Sequence, residues 1–345
     1  MIRYRIAFAL VAVLVVSAPA AAAVTKSAGI VDENPRTGWL EHFQESRQGP
    51  EQTERVTETY KVGADPALDL SHIAGDVKVA TGPANTIRVD AIKRVRHRDT
   101  EEAKRLLAAL RVDVNQVGSR VEVRTVYPRM TSGRSMSMSV DYTITVPQSA
   151  SVAIKTISGD VAINGVRGEV RAETVSGDVE VIATPNLTLA KAVSGDVRAR
   201  DIGAESTLTL STVSGTVYAT ALKVQRLEAG SVSGDIDLTN LQIERLLAKT
   251  VSGNIGFDGS LARAGRYEFN AHSGNVRLIL ANPSGFELDA SSFSGSIRSD
   301  FPVTLRSTDG DRQGRRGGAI RGVFGDASAI LSVRSFSGTV VISKK

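Results

Sequence analysis

Cysteine is absent from this 345-residue sequence. Its absence excludes disulfide bonds, thiolate metal sites, a cysteine nucleophile and a lipidated cysteine anchor. Aromatic residues are also scarce, at 5% of the chain, so a core must be built from Val, Ile, Leu and Ala. The chain has 10 prolines, 31 glycines and many β-branched residues, and this composition favours a β-rich protein.

Recognisable catalytic or metal-binding motifs are missing as well. The four histidines are His42, His72, His97 and His272, and none has the spacing of a metal site. The chain has no Gly-x-Ser-x-Gly elbow, phosphate loop, dinucleotide fingerprint or EF-hand loop. We therefore expect no cofactor, and we assign no catalytic or metal-binding residue.

The N-terminus has the layout of a secretory signal peptide, which we place at residues 1–23. Arg3 and Arg5 precede an apolar run, and Ala21-x-Ala23 follows as a cleavage site. Removing the two arginines lowers the net charge from +5 to +3, which argues against a nucleic-acid partner. No second apolar stretch reaches the ~20 residues of a membrane span. We expect an exported protein that is periplasmic, associated with the outer membrane, or extracellular.

The rest of the chain divides into three segments. Residues 24–53 are polar and rich in turn residues, and we interpret them as a flexible leader. Residues 54–150 alternate like strands around one helix at 99–110, which Asp99 can cap. Its apolar face predicts that the helix caps or flanks the neighbouring strands. Residues 151–345 form a regular array.

The array repeats a short phrase, for example "VSGDV" at 175 and 193 and "VSGNI" at 251. Successive repeats follow at 18 to 21 residues, with longer gaps after "IAGDV" at 73 and before "FSGTV" at 336. This period is too short for helical repeats, and each unit holds two or three short alternating runs. The period predicts an all-β parallel solenoid, a right-handed β-helix of about twelve coils that stack about 4.8 Å apart.

Equivalent residues of a solenoid lie in columns. We expect two inward apolar columns on either side of the Ser-Gly-Asp phrase. The first contains Val175, Val193, Val213, Val232 and Val251, and the second contains Val179, Val197, Val217, Ile236 and Ile255. The phrase between them is then the corner where the chain turns from one strand to the next.

The corner is interpreted as a structural turn. Glycine supplies a conformation or a close approach that a Cβ would prevent. Its successor is Asp, Asn, Thr or Ser, which share a short side-chain oxygen for a nearby N–H but do not share a charge. The turn residues that we assign are Ser158, Gly159, Asp160, Ser176, Gly177, Asp178, Ser194, Gly195, Asp196, Ser233, Gly234, Asp235, Ser252, Gly253 and Asn254.

These repeats, with "LDLSHIAGDVKV", "EEAKRLLAAL" and "IRGVFGDASAILSVRSFSGTVVI", resemble a bacterial family. It is the "putative adhesin" family, also catalogued as a domain of unknown function with β-strand repeats. The resemblance covers residues 54–345 and implies an exported β-solenoid of the cell envelope. It implies little about activity.

Three functions remain open. The first is a non-catalytic module for adhesion, binding or scaffolding, whose partner is envelope polysaccharide, lipid headgroups or another surface protein. Its candidate anionic-ligand contacts are Arg312, Arg315 and Arg316 in a glycine-rich loop, and a late aromatic cluster offers a sugar platform. The second is a polysaccharide-active enzyme, because Asp160, Asp178 and Asp196 would stand about 4.8 Å apart, near the ~5–5.5 Å of a retaining glycosidase pair. The third is an envelope scaffold that polymerises end to end.

Overall fold

The computed structural model describes residues 50–128, 137–305 and 318–345, excluding the side chains of 204–206 and 305. The described chain is nearly all β, with one helix, α1 (Thr100–Ala109). Parallel strands wrap into a solenoid, which confirms the predicted fold class. None of the described helical segments is long and apolar enough to cross a membrane.

Each coil contributes one strand to each of two parallel sheets that meet at the Ser-Gly-Asp corner. The strands that enter the corner form sheet 1: β2 (Ala67–Ser71), β6 (Arg120–Val126), β8 (Ser151–Ser158), β10 (Val170–Ser176), β12 (Leu187–Lys191), β14 (Gly203–Ser211), β16 (Lys223–Ser233), the second half of β17 (Ile236–Ser252), β19 (Arg266–Ser273), β21 (Gly285–Ser294) and β25 (Ala329–Ser337).

Sheet 2 contains the strands that leave the corner: β3 (Val77–Thr81), β7 (Ser137–Val146), β9 (Val161–Asn164), β11 (Val179–Ile182), β13 (Val197–Arg200), β15 (Val217–Thr220), the first half of β17, β18 (Ile255–Gly259), β20 (Val276–Leu280), β22 (Ile297–Ser299) and β26 (Val340–Lys344). Ten pairs of strands are joined by such a corner, and β6 with β7 stacks on them as another coil, so the described strands make eleven coils, close to the expected twelve.

The core lies between the two sheets, and only one of the two predicted inward columns belongs to it. The column after the corner is fully buried, with Val179, Val197 and Val217 at 0% exposure. The column before the corner, from Val175 to Val251, is 37–50% exposed, so that prediction was wrong. In β10 every second residue points inward, and Thr174 is one of these, so Val175 points outward. The corner then shifts the inward positions by one residue, and Val179 points inward at the start of β11.

The order of coils in space differs from their order in the chain at both ends. The coil of β25 and β26 lies between the coils of β19 and β21. Likewise, the coil of β2 and β3 lies between those of β6 and β8. The long gaps in the repeat therefore contain the segments that reach the two ends of the solenoid. The coil of β6 and β7 lies outermost at one end, and the coil of β21 and β22 lies outermost at the other.

Antiparallel strands cover the outermost coils. They are β1 (Glu51–Lys61), β4 (Thr86–Arg96) and β5 (Arg111–Val117) at one end, and β23 (Thr304–Leu305) and β24 (Gly318–Gly325) at the other. β1 pairs with β4 from Glu51 onward, so the last residues of the predicted leader 24–53 are in fact strand. Backbone pairing fixes β1 there although its sequence is polar. The signal peptide and residues 24–49 lie outside the described residues.

Helix α1 occupies the predicted position and packs against β1 and β4. The carboxylate of Asp99 accepts the N–H groups of Glu101 and Glu102, which caps the first turn. Ala103 and Leu110 are buried at 0% exposure. At the other end, the Lys93 ammonium donates to the carbonyl of Leu110 at 3.0 Å, and this compensates a C-terminus without basic residues of its own.

Candidate functional site

The corner glycines occupy positions that no other residue fits. Gly195 has φ +142°, and a Cβ there would lie 2.0 Å from the carbonyl oxygen of Gly177 in the adjacent coil. Gly177 has φ +132°, and its Cβ would lie 2.3 Å from the carbonyl of Gly159. The glycine is therefore needed both for its backbone conformation and for the close approach of two coils.

The residue after each glycine links neighbouring coils. The carboxylate of Asp160 accepts the N–H of Asp178, and that of Asp178 accepts the N–H of Asp196, both at 2.8 Å. Asn254 does the same for Asn275 at 3.0 Å. We expected a bond within one turn, whereas the bond runs to the next coil, 18 to 21 residues along the chain. An amide oxygen serves as well as a carboxylate, so the column requires an acceptor and not a charge.

Arg198 engages two members of this column. Its guanidinium donates to Asp178 at 2.6 Å and to Asp196 at 2.5 Å. Burial alone would raise the pKa of Asp178, but the Asp196 N–H and the Arg198 guanidinium outweigh it and hold the pKa below its usual value. A carboxyl with a lowered pKa is poorly suited to act as a general acid.

A buried hydroxyl column lies behind the corner, and the sequence interpretation missed it. Thr212 donates to the carbonyl of Gly195 at 2.8 Å, and Ser231 and Thr250 donate to the preceding corner glycines at 3.1 Å. The signal was available, because Thr or Ser recurs three residues before most corner glycines. These hydroxyls satisfy glycine carbonyls that face the interior.

The column before the corner forms an exposed apolar stripe along the solenoid. Backbone pairing of the adjoining serines places its members on adjacent coils. In spatial order this apolar stripe contains Ile73, Ile157, Val175, Val193, Val213, Val232, Val251, His272, Phe336 and Phe293.

Most of the late aromatic residues lie either in the core or in this stripe, and Phe324 of β24 is half-buried against Phe286 and Phe301. Phe257, Tyr267, Phe269, Phe286 and Phe301 are buried. In the stripe, the rings of His272 and Phe336 and those of Phe336 and Phe293 stack with centroids 4.8 Å apart. The stacked faces cover one another, so the predicted sugar platform has no free ring face between these coils.

A groove on the outer face of sheet 1 carries three arginines on adjacent coils. Arg226 pairs in register with Arg245, and Arg245 with Arg266. They line a depression of about 490 Å³ together with Glu268, beside a second one of about 820 Å³ at the far turn. Arg226 forms a salt bridge with Glu228 at 2.8 Å, whereas Arg245 and Arg266 form none with any described residue. We call Arg226, Arg245 and Arg266 the arginine ladder.

The sequence contained a signal for the arginine ladder that we did not use. Its members are 19 and 21 residues apart, which equals the repeat period. The predicted anionic-ligand contacts Arg312, Arg315 and Arg316 lie outside the described residues. Across the described part of the chain, no cluster of three or more His, Asp or Glu side chains is arranged to hold a metal ion.

Comparisons with known proteins bear on the family. A solved structure described as a "putative cell adhesion protein" from Clostridium sporogenes is 11% identical. The match covers 84% of this chain and 99% of that one, with a TM-score of 0.21. No curated protein matches the sequence. The family model described as Toastrack DUF4097 matches residues 67–343, which is most of the chain. The chain therefore belongs to the Toastrack DUF4097 family.

Proposed function

We propose that this protein is a non-catalytic binding module of the cell envelope that holds an acidic polysaccharide along its side. The arginine ladder carries this proposal. Three arginines in register on adjacent strands, whose backbones lie about 4.8 Å apart, place a line of positive charge parallel to the solenoid axis. Like charges in register repel one another, and a chain of carboxylates or sulfates would relieve that repulsion.

The chemistry of arginine fits this ligand class. A guanidinium presents a planar fork of donors that binds a carboxylate with two hydrogen bonds. Arg245 and Arg266 have no salt bridge to a described residue, so their donors are available to a ligand. The partly buried Leu247 beside them offers apolar contact to a sugar ring. Lipid headgroups and a surface protein are the alternative partners, and a row of three arginines on adjacent coils suits a polymer with repeated anionic groups better than a single headgroup.

Export and adhesion belong to the same proposal. The signal-peptide layout supports export, and the family match agrees with a solenoid of unassigned activity. The enzyme alternative requires a carboxyl that is available as an acid. In contrast, Asp178 and Asp196 are occupied by backbone N–H groups and by Arg198. This arrangement favours binding over cleavage.

The test measures retention of the purified protein on immobilised polygalacturonate, with neutral dextran as the reference polymer. We expect binding to polygalacturonate only, with an affinity that falls as salt rises. The double variant Arg245→Ser and Arg266→Ser should weaken binding about 10-fold or more, since two charge-assisted contacts are lost.

The matched control is Arg277→Ser with Arg298→Ser. Both residues are exposed on sheet 2, away from the arginine ladder. Their substitution removes the same net charge as the first double variant, so binding should change little. If both double variants lost polygalacturonate binding equally, binding would depend on net charge alone. That result would contradict the proposal that the arginine ladder is the binding site. Release of reducing ends from polygalacturonate by the unmodified protein would instead support the enzyme.

A further inference from the structure

The apolar stripe is the largest feature that the proposed binding function leaves unexplained. Nine of its members are among the exposed large hydrophobic residues, and they follow one another on adjacent coils. At about 4.8 Å per coil, ten residues make a stripe about 43 Å long. Continuous apolar surface of this extent, bordered by polar residues, marks an interaction site.

The two sides of the stripe carry opposite charges. On the sheet 1 side, the exposed residues Lys155, Lys191, Lys249 and Arg334 lie two positions before the stripe residue of their coils. On the corner side lies the acidic column Asp76, Asp160, Asp178, Asp196 and Asp235. Glu173 lies on the basic side and pairs with Lys155, and Arg198 lies beyond the acidic column and pairs with Asp178 and Asp196. With these two residues counted, the four cations (+4 − 1) keep a net charge of +3 and the five carboxylates (−5 + 1) keep −4.

We propose that a second copy of this chain covers the stripe, side by side and parallel, with the two-fold axis along the solenoid. A two-fold axis in that direction places the basic side of one copy opposite the acidic side of the other. Lys155 and Asp160 belong to one coil, as do Lys191 and Asp196, so both pairs meet at the same height. An axis perpendicular to the solenoid would instead set acid against acid and base against base.

The repeat itself makes the surface complementary to its own copy. Both copies have the same axial period, so each stripe residue meets its own equivalent, and the stacked rings of Phe336 and Phe293 meet at the same end. From Lys191 to Asp196 the surface is about 16 Å wide at ~3.3 Å per residue. The buried area is then about 700 Å² per copy, near the ~800 Å² of a stable interface.

This arrangement differs from end-to-end polymerisation. Antiparallel strands pair with β6, β7 and β21 and so occupy three of the four edges that a further coil would need, and the fourth edge belongs to the three-residue strand β22. The apolar stripe supplies the affinity of the lateral dimer, since exposed ion pairs contribute little, and the charged sides select its orientation.

Sedimentation of the full-length purified protein tests the association. We expect a dimer whose dissociation constant rises about 10-fold or more in Val213→Lys, because an unpaired charge enters the apolar contact. Thr220→Lys is the control, since it adds the same charge to an exposed position of sheet 2 in the same coil. A monomer at all concentrations, or equal effects of both variants, would overturn the proposal.

Single cysteines test the orientation, and the natural absence of cysteine makes the probe clean. In the parallel dimer, Val175→Cys, Val213→Cys and Val251→Cys should each form an intermolecular disulfide on mild oxidation, and Thr220→Cys should not. An antiparallel dimer would cross-link only the cysteine nearest its centre and would join a mixture of the Val175→Cys and Val251→Cys variants instead. That result, or no disulfide above the Thr220→Cys control, would refute the parallel dimer.

Discussion

The two columns on either side of the Ser-Gly-Asp corner both consist of β-branched apolar residues over the central coils, yet their environments are opposite. Val197 is fully buried between the sheets, whereas Val193, four residues earlier, is 37% exposed on the apolar stripe. The inner column stabilises the coil, and the outer column is available to a partner. Residue type therefore does not decide burial in this array. The position of each residue relative to the corner does.

The largest effect should come from a charge in the inner column. Val197→Asp buries a carboxylate without a partner and should reduce the free energy of unfolding by about 4 kcal/mol or more. Val193→Asp places the same charge in the outer column and should change it by about 0.5 kcal/mol or less in dilute monomer. Urea denaturation of both variants checks the comparison. Equal losses would show that both columns are structural.

The corner between the columns should be nearly as sensitive. Gly195→Ala forces a Cβ to within 2.0 Å of the Gly177 carbonyl, and the two coils must separate. We expect a loss of about 3 kcal/mol, since backbone strain and a lost coil contact add. Gly203→Ala is the control, because nothing lies within 4 Å of its added Cβ. Comparable melting temperatures for the two variants would contradict the close-approach argument.

A pH titration extends the comparison to histidines. His72 is buried in the inner layer, where burial lowers its pKa to about 4, whereas His272 is exposed on the stripe. Between pH 6.5 and 4 the unfolded chain binds a proton that the native His72 does not, so stability falls as the pH falls. The loss should approach about 3 kcal/mol at pH 4.

Urea denaturation across this pH range provides the check. His72→Gln should remove that part of the pH dependence, and His272→Gln should retain it. If the free energy of unfolding fell as steeply with decreasing pH in His72→Gln as in the unmodified protein, the acid sensitivity would belong to another group.

The smallest effect is expected for substitutions of Asp160 in the corner. They test whether the stability depends on a hydrogen-bond acceptor or on a negative charge at this position. Asp160→Asn keeps an oxygen for the Asp178 N–H and should alter stability by about 0.5 kcal/mol or less. Asp160→Ala leaves that N–H without its partner and should cost about 1 kcal/mol. Asp160 is the best site because no arginine bridges it, unlike Asp178. If Asn proves as damaging as Ala, the charge itself matters.

Much of the fold could be predicted because it rests on local and periodic signals. The 18–21-residue period predicted stacked coils, and the Asp99 cap with its apolar face predicted the helix. Candidate sites were harder. The arginine ladder exists only because 19- and 21-residue steps bring its members onto adjacent coils. Arg312, Arg315 and Arg316 were predicted as contacts from the composition of their segment alone.

The sequence by itself determined the repeat, the parallel stacking, the corner glycines and the column of short acceptors, since these depend on spacing and on the conformational limits of each residue. Only the tertiary structure decided which valine column faces inward and which coils lie outermost. Strand alternation fixes two faces without saying which one is buried, and the corner shifts that alternation by one residue. The placement of β25 between β19 and β21 depends on pairing between strands far apart in the chain, which no local pattern specifies.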